Sequence, residues 1–378
     1  MERPDAVSRR ADLVQPYGTQ HVEAVTPRAE LSDPLSRRGN RMSWPGLHLV
    51  VRRVIADFSV DDMVDRAASL TYYTVLAIAP MILAIYSLVL LLLPRDGGEA
   101  PLLLNDLVKN YVPEALQSEA LALLATIVGS PSDSTIALVI SIAVSLLSAS
   151  AYVRSFSRNA NVIYGREEGR TFAMTWLTMW LVTVAMSLGV LLLLVGLVAR
   201  ESIFTGVVAP LARPFGLEEE VENLVRVFLP VWDWLRYPVV ALLSLGMLSM
   251  LYQVTPNVRR GAYRPVTYGA FLAFVVSAII WIGFSWYVTE IGVQSAYGAF
   301  GTVLMVLVLV WIMNIVLVVG VKIDAEVLRV KELQIGYPSE DVIQAPPKSN
   351  AALRIRLRTQ RRIGEIAEKV KNRRRKIL

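Results

Sequence analysis

DFSVDDMVD, from Asp57 to Asp65, is the acidic cluster whose spacing most imitates a catalytic centre. Clustered carboxylates hold catalytic metal ions or form a general acid–base pair, the usual equipment of a hydrolytic nuclease. Asp61 and Asp65 share a helix face at i, i+4, whereas the adjacent Asp61 and Asp62 diverge. Asp65 meets Arg66 at the edge of a long apolar run, so the plainer reading is a solvated helix start. The rest of the inventory points the same way. The absence of cysteine excludes disulfides, thiolate nucleophiles, zinc–thiolate centres and cysteine-ligated clusters. The two histidines, His21 and His48, precede the first long apolar run, so no histidine metal site, Ser-His-Asp triad or histidine proton relay can form beyond it. No catalytic residue, metal or cofactor is expected.

What remains is a set of hydroxyls and one amide in apolar surroundings: Tyr72, Tyr73, Ser141, Ser145, Ser148, Thr183, Ser187, Ser244, Ser277 and Asn314. At hydrocarbon depth a charged residue is costly and usually functional, and these runs contain essentially none. Proton-coupled carriage, which normally uses a mid-membrane carboxylate, loses weight. Movement of a lipid-like amphiphile needs no such group. Small polar residues between helices ordinarily serve as packing and hydrogen-bonding glue. Asn314, in the middle of LVWIMNIVLVVG, must find a partner, and holding the bundle together or binding substrate suits it equally.

The elements that position these groups are membrane helices. Ala67 to Leu93 contains no acid or base, and roughly 20 apolar residues cross a ~30 Å hydrocarbon layer. A long polar leader precedes the run, which argues against a cleaved signal peptide. Pro80 kinks the helix, and Thr71 and Thr74 lie near enough to help satisfy the carbonyl it frees. Further runs, Ser134–Tyr152, Met174–Val198, Pro238–Tyr252, Val266–Val288 and Thr302–Val321, make six spans. The fourth is short and is expected to begin within FLPVWDWLRY, with Asp233 and Arg236 facing water or each other. The fold class is all-α: a polytopic membrane protein with six transmembrane helices and amphipathic interfacial and outer-loop helices. The interfacial candidate is GLHLVVRRVIADF, with Leu47, Val50, Val51, Val54, Ile55 and Phe58 on one side and Arg52 and Arg53 on the other. The outer-loop candidates are Pro101–Gly129 and Leu217–Leu229.

A composition of 54% hydrophobic residues with a mean hydropathy of +0.48 fits this class. The net charge of +6 is spent on topology rather than on nucleic acid, which is not expected as a partner. Arg52, Arg53 and Arg66, then Arg154, Arg158, Arg166 and Arg170, then Arg259, Arg260 and Arg264, then Lys322, Arg329 and Lys331 all fall on one side of a six-span arrangement. The positive-inside rule makes that side, and both termini, cytoplasmic. Residues 1–45 read as a disordered leader, 46–330 as the membrane domain and 331–378 as a basic tail. Membrane lipids are the expected partners, with anionic inner-leaflet lipid at the basic ends.

Several short stretches, in order, resemble one family. AASLTYYTVLAIAP, with Ala67, Ala68, Tyr72, Tyr73 and Pro80, resembles the opening signature of the YihY/BrkB family, long labelled ribonuclease BN. NANVIYG places Asn161 and Tyr164 at that family's Asn and aromatic positions; LYQVTPN follows with Tyr252, Pro256 and Asn257. YGAFG, with Tyr297, Gly298 and Gly301, then Trp311 and Gly320, completes the set. The resemblance, from about Gly46 to Val330, implies a six-span protein of the bacterial plasma membrane. The chain departs from it at Lys322, where the family tends to carry an acid; Asp324 and Glu326 follow. The expected function is transport or flipping of lipid-like amphiphiles, with a scaffolding role as alternative and the ribonuclease of the old label ranked last.

Overall fold

At membrane depth a backbone must satisfy its own hydrogen bonds, which long apolar runs do as helices. The computed structural model describes residues 41–92, 135–198, 223–260, 265–290 and 299–375, with scattered positions in 105–122 and Gly216, and no strand occurs among them. The helices are α1 Trp44–Val60, α2 Met63–Leu92, α3 Thr135–Ile163, α4 Phe172–Val198, α5 Leu229–Val254, α6 Tyr268–Glu290, α7 Ala299–Gln334 and α8 Ala351–Arg375. Four segments, Phe172–Leu197, Val225–Val254, Tyr268–Glu290 and Gly301–Gln334, are long and apolar enough to cross a membrane. α2 and α3 coincide with the first two apolar runs. The leader's residues 1–40 and most of both outer-loop candidates lie outside the described residues.

Sequence logic explains several boundaries. Ser43 caps α1 by accepting from the Gly46 amide at 3.2 Å. α5 starts at Leu229 behind a π-helical turn, Leu224–Phe228, ahead of Pro238 as expected. Arg236 and Asp233 do face each other, at 3.2 Å. α2 runs unbroken through Pro80. Thr71 and Thr74 do not serve the proline, however: each hydroxyl donates to its own i−4 carbonyl, Ala67 and Leu70, at 2.8 and 3.0 Å. That carbonyl lies within direct reach of a helical threonine, whereas the one freed by a proline at 80 belongs to residue 76, ahead of both.

Each large helix packs on the next, α2 on α3 and so on to α7, which returns to α2 and closes a ring. The buried core sits at the end where α2 begins and α3 ends: Met63, Ala67, Leu70, Phe156, Ala160, Leu251, Tyr252, Ala270 and Val318. Towards the other end, Ile140 and Val144 of α3, Leu242 of α5, Ile282 and Trp286 of α6 and Val303 of α7 are exposed. The packed end is the closed end hereafter.

At 36 residues α7 is ~54 Å long, well beyond a ~30 Å hydrocarbon layer. α1 packs along its last third: a side chain at Gly46 would meet Val330, Val50 packs on Val327 and Val330, and Asp57 reaches Lys322. The two therefore run antiparallel. This divides the single apolar face expected for α1. Val50 is buried and Val54 and Phe58 are half-buried against the protein, whereas Leu47, Val51 and Ile55 are exposed with Trp44. Arg53 turns inward, because it shares a helical row with Val50 and Asp57 and faces a buried carboxylate, Glu326.

α7 ends in a Schellman motif, with Gly336 at φ 86° and the Tyr337 amide donating to the Glu332 carbonyl at 3.0 Å. Beyond it the chain folds back over the closed end, burying Ile343 and Ala345.

Candidate functional site at the closed end

Three polar clusters organise this end. The deepest surrounds Asn314 on α7. Its side-chain oxygen accepts from the Tyr152 hydroxyl at 3.0 Å, and its amide donates to Thr71 at 3.2 Å and to the Val310 carbonyl at 3.0 Å. Each amide atom thus has a partner, and α2, α3 and α7 are stapled at one point. Tyr72, grouped with Asn314 by sequence, points elsewhere: it is 61% exposed and packs edge-on to Tyr73 at 5.4 Å. Tyr152 and Thr71 take its place, and an ordinary aromatic and an ordinary threonine gave no signal for it. Pro80 lies in α2 beyond this cluster.

The second cluster gathers the family-type motifs from three loops. Asn161, at the end of α3, accepts from the Asn257 amide at 2.6 Å and donates to Glu168 at 3.1 Å. Asn257 donates to the carbonyls of Glu167 and Ser349 and accepts from the Ser349 amide at 3.0 Å. Arg170 joins Glu168 through two nitrogens, at 2.7 and 2.8 Å, and donates to the Thr255 carbonyl. Lys348 donates to the carbonyls of Gln253 and Val254. With Arg260, which donates to the Tyr252 carbonyl at 2.8 Å, three basic side chains thus satisfy the last carbonyls of α5, where the helix dipole is negative. Pro256 is buried among these groups.

Tyr164 lies buried beneath the Arg260 guanidinium, 4.6 Å from its ring, and burial holds its phenol protonated well above the usual range. Its hydroxyl has no hydrogen-bond partner among the described residues. Tyr252 stacks on Phe156 at 5.6 Å and donates to the Leu317 carbonyl at 2.7 Å. Gly320 explains itself here: a Cβ there would lie 2.5 Å from the Tyr252 hydroxyl oxygen, and one on Gly269 would overlap the Gly320 carbonyl. α6 and α7 therefore cross backbone to backbone. Gly301 opens α7 far from this crossing, and Tyr297 and Gly298 lie outside the described residues.

Lys322 stands at the α1–α7 contact. Its ammonium lies 2.7 Å from Asp57, 2.8 Å from Asp61 and 3.2 Å from Glu326. Glu326, fully buried, also meets Arg329 at 3.0 Å and Arg53 at 3.9 Å. Asp324 accepts from the Gly269 amide at 2.7 Å and pairs with Arg260 at 3.1 Å. Asp61 is thus committed to a lysine, not paired with Asp65, which is exposed. Glu332 accepts from the Ser339 hydroxyl and from the amides of Gln344 and Ala345, at 2.7 to 2.8 Å, and so fixes the returning chain. Arg166 donates to the carbonyls of Ile343 and Ala345; burial lowers its pKa to about 10.

Arg166 and Arg170, which enter the sequence reading only as topology charges, are internal partners here, as are Glu326 and Glu332. The signal was their mixed sign: REEGR and KIDAEVLRVKE alternate acids and bases as internal pairs require.

Described residues that are all-helical, with four membrane-length apolar helices among them and a buried charge network at one end, define a multi-pass membrane protein. A family model described as virulence factor BrkB matches residues 54–341, and the chain belongs to that family. It is 26% identical over 292 residues to the ribonuclease-like protein YfkH of Bacillus subtilis, covering 75% of this chain and 96% of the relative. A UPF0761 membrane protein of Mannheimia succiniciproducens is 24% identical over 275 residues, covering 71% and 85%. One from Vibrio vulnificus strain YJ016 is 23% identical over 304 residues, covering 80% and 89%. No solved structure matches.

Proposed function

We propose that this BrkB-family membrane protein moves lipid-like amphiphiles across the bacterial plasma membrane as a transporter or flippase, through six spans and with both termini cytoplasmic. The observation that carries the reading is the asymmetry of the ring. Its main buried core lies at the closed end, around Phe156, Tyr252 and the ionic network, with Tyr152 packed against it, while towards the other end Ile140 and Val144 of α3, Ile282 and Trp286 of α6 and Val303 of α7 are exposed apolar side chains. A ring with its described core concentrated at one end, and with hydroxyls rather than charges in its apolar runs, suits an amphiphile entering from one leaflet. The test is a lipid-flipping and amphiphile-flux assay on the purified chain in liposomes. Flux above empty vesicles is expected; none under any imposed gradient would discard the reading in favour of a scaffold.

A hydrolytic role has little to work with. Asp61 is engaged by Lys322, and no group of three acids and histidines suited to a metal occurs among the described residues. We propose that the chain is no enzyme and takes neither cofactor nor nucleic acid as partner. RNA cleavage with Mg, Mn or Zn that copurifies with the protein and vanishes in Asp61→Ala would reverse this.

A further inference from the structure

α8 leaves the closed end as a 25-residue helix exposed over most of its length. Only its start is held: the Ala352 amide donates to the Gly169 carbonyl at 2.9 Å, Arg356 pairs with Glu167 at 2.7 Å, and Leu353 is buried. Gly169 lies three residues before Phe172, where a membrane-length segment begins. α8 is therefore launched at the level of the bilayer edge.

Its exposed surface is patterned. Ile355, Thr359, Ile363, Ile366 and Val370 fall on one stripe, and the four aliphatic ones are 59 to 67% exposed. At 100° per residue, Arg362 and Lys369 line one margin of the stripe and Arg356 the other, while Glu368 lies opposite. The helix holds ten bases and two acids. An apolar stripe with basic margins is the signature of a helix lying in a headgroup layer, the long cations snorkelling outward. Pairing the stripe with that of a second copy would bring two such sets of ten bases together, which charge opposes. We infer that α8 is an in-plane anchor that lays Ile355, Ile363, Ile366 and Val370 into an anionic bilayer surface. This rests on the chain's residence in a membrane and not on its transporting anything.

The chain lacks cysteine, so single cysteines at Ile366 and Glu368 of the full-length protein can each carry an environment-sensitive fluorophore. In vesicles of phosphatidylcholine with phosphatidylglycerol, the label at 366 should be blue-shifted and several-fold less quenched by aqueous iodide than in phosphatidylcholine alone. High salt should reverse the difference, and the label at 368 should be open to iodide in both. Ile363→Asn in the 366-labelled chain should restore quenching. Equal quenching at 366 in both lipids would overturn the proposal, as would protection accompanied by energy transfer between labelled copies in neutral vesicles. The readout needs no flux, so a bundle that moves no lipid leaves the result standing.

Discussion

The Lys322 ammonium lies 2.7 Å from the Asp57 carboxylate, a contact closed across 265 positions of sequence. It makes Lys322 a bridge between the first helix and the last large one. Lys322 and Glu326 are at most 4% exposed, while Asp57 and Asp61 keep 31% and 23%.

Removing the lysine leaves a buried glutamate short of one cation. Lys322→Met should cost ~2–3 kcal/mol, below the figure for a fully buried pair because the two aspartates still touch water. Thermal unfolding in detergent should show it, and adding Glu326→Gln should recover part of the loss. A Lys322→Met protein that melts with the wild type would mean the network carries no stability.

Asn314 was equally suited by sequence to substrate binding and to structure. Its amide atoms all have protein partners, which favours structure. Asn314→Leu should lower the melting temperature, by ~1 kcal/mol in free energy for lost interhelical bonds. Tyr152→Phe should lower it less, and the double variant should fall short of the sum. An unchanged melting temperature with altered flux would return the amide to the substrate path.

The α6–α7 crossing tolerates no methyl group. Gly269→Ala, set against the Gly320 carbonyl, should destabilise by at least the ~1–3 kcal/mol of an overpacked core. Gly246→Ala and Gly283→Ala, where an added Cβ meets nothing within 4 Å, should not. Parallel melting curves of the three variants settle the comparison.

Topology is open to thiol labelling. Ser157 would be an uninformative probe, because it is buried and bonded to the Thr255 carbonyl. Cysteines at the exposed Ser59 and Pro338 should resist an impermeant reagent in intact cells and react after permeabilisation, while one at Ser295 should react at once. Labelling at Ser59 from outside would reverse the proposed orientation.

Much of the helical scaffold was legible because apolar run length is a local property: α4, α6 and most of α7 follow their runs. The Asn161–Asn257 pairing was legible only as two motifs, since nothing local says that loops 96 residues apart share a hydrogen bond. The internal partners of Arg53, Arg166 and Arg170, charges near span ends, were not legible. An arginine can count towards topology and also pair internally, and its facing carboxylate or carbonyl is supplied by a distant segment. Thr71 likewise looked like relief for Pro80 because the sequence shows its distance along the helix but not its neighbour on α7.

The α1–α7 bridge also sets a schedule for synthesis. Asp57 and Asp61 leave the ribosome 265 and 261 positions before Lys322. At ~5–20 residues per second, the two acids wait roughly 13 to 50 seconds for their counter-charge. Over that interval the membrane receives helix after helix while the first one has nothing to lean on. An unfinished chain therefore differs from a finished one in a chemically plain way: it shows two bare carboxylates at the water's edge and the apolar side of α1. Those are features that a protease or chaperone patrolling nascent membrane proteins can read.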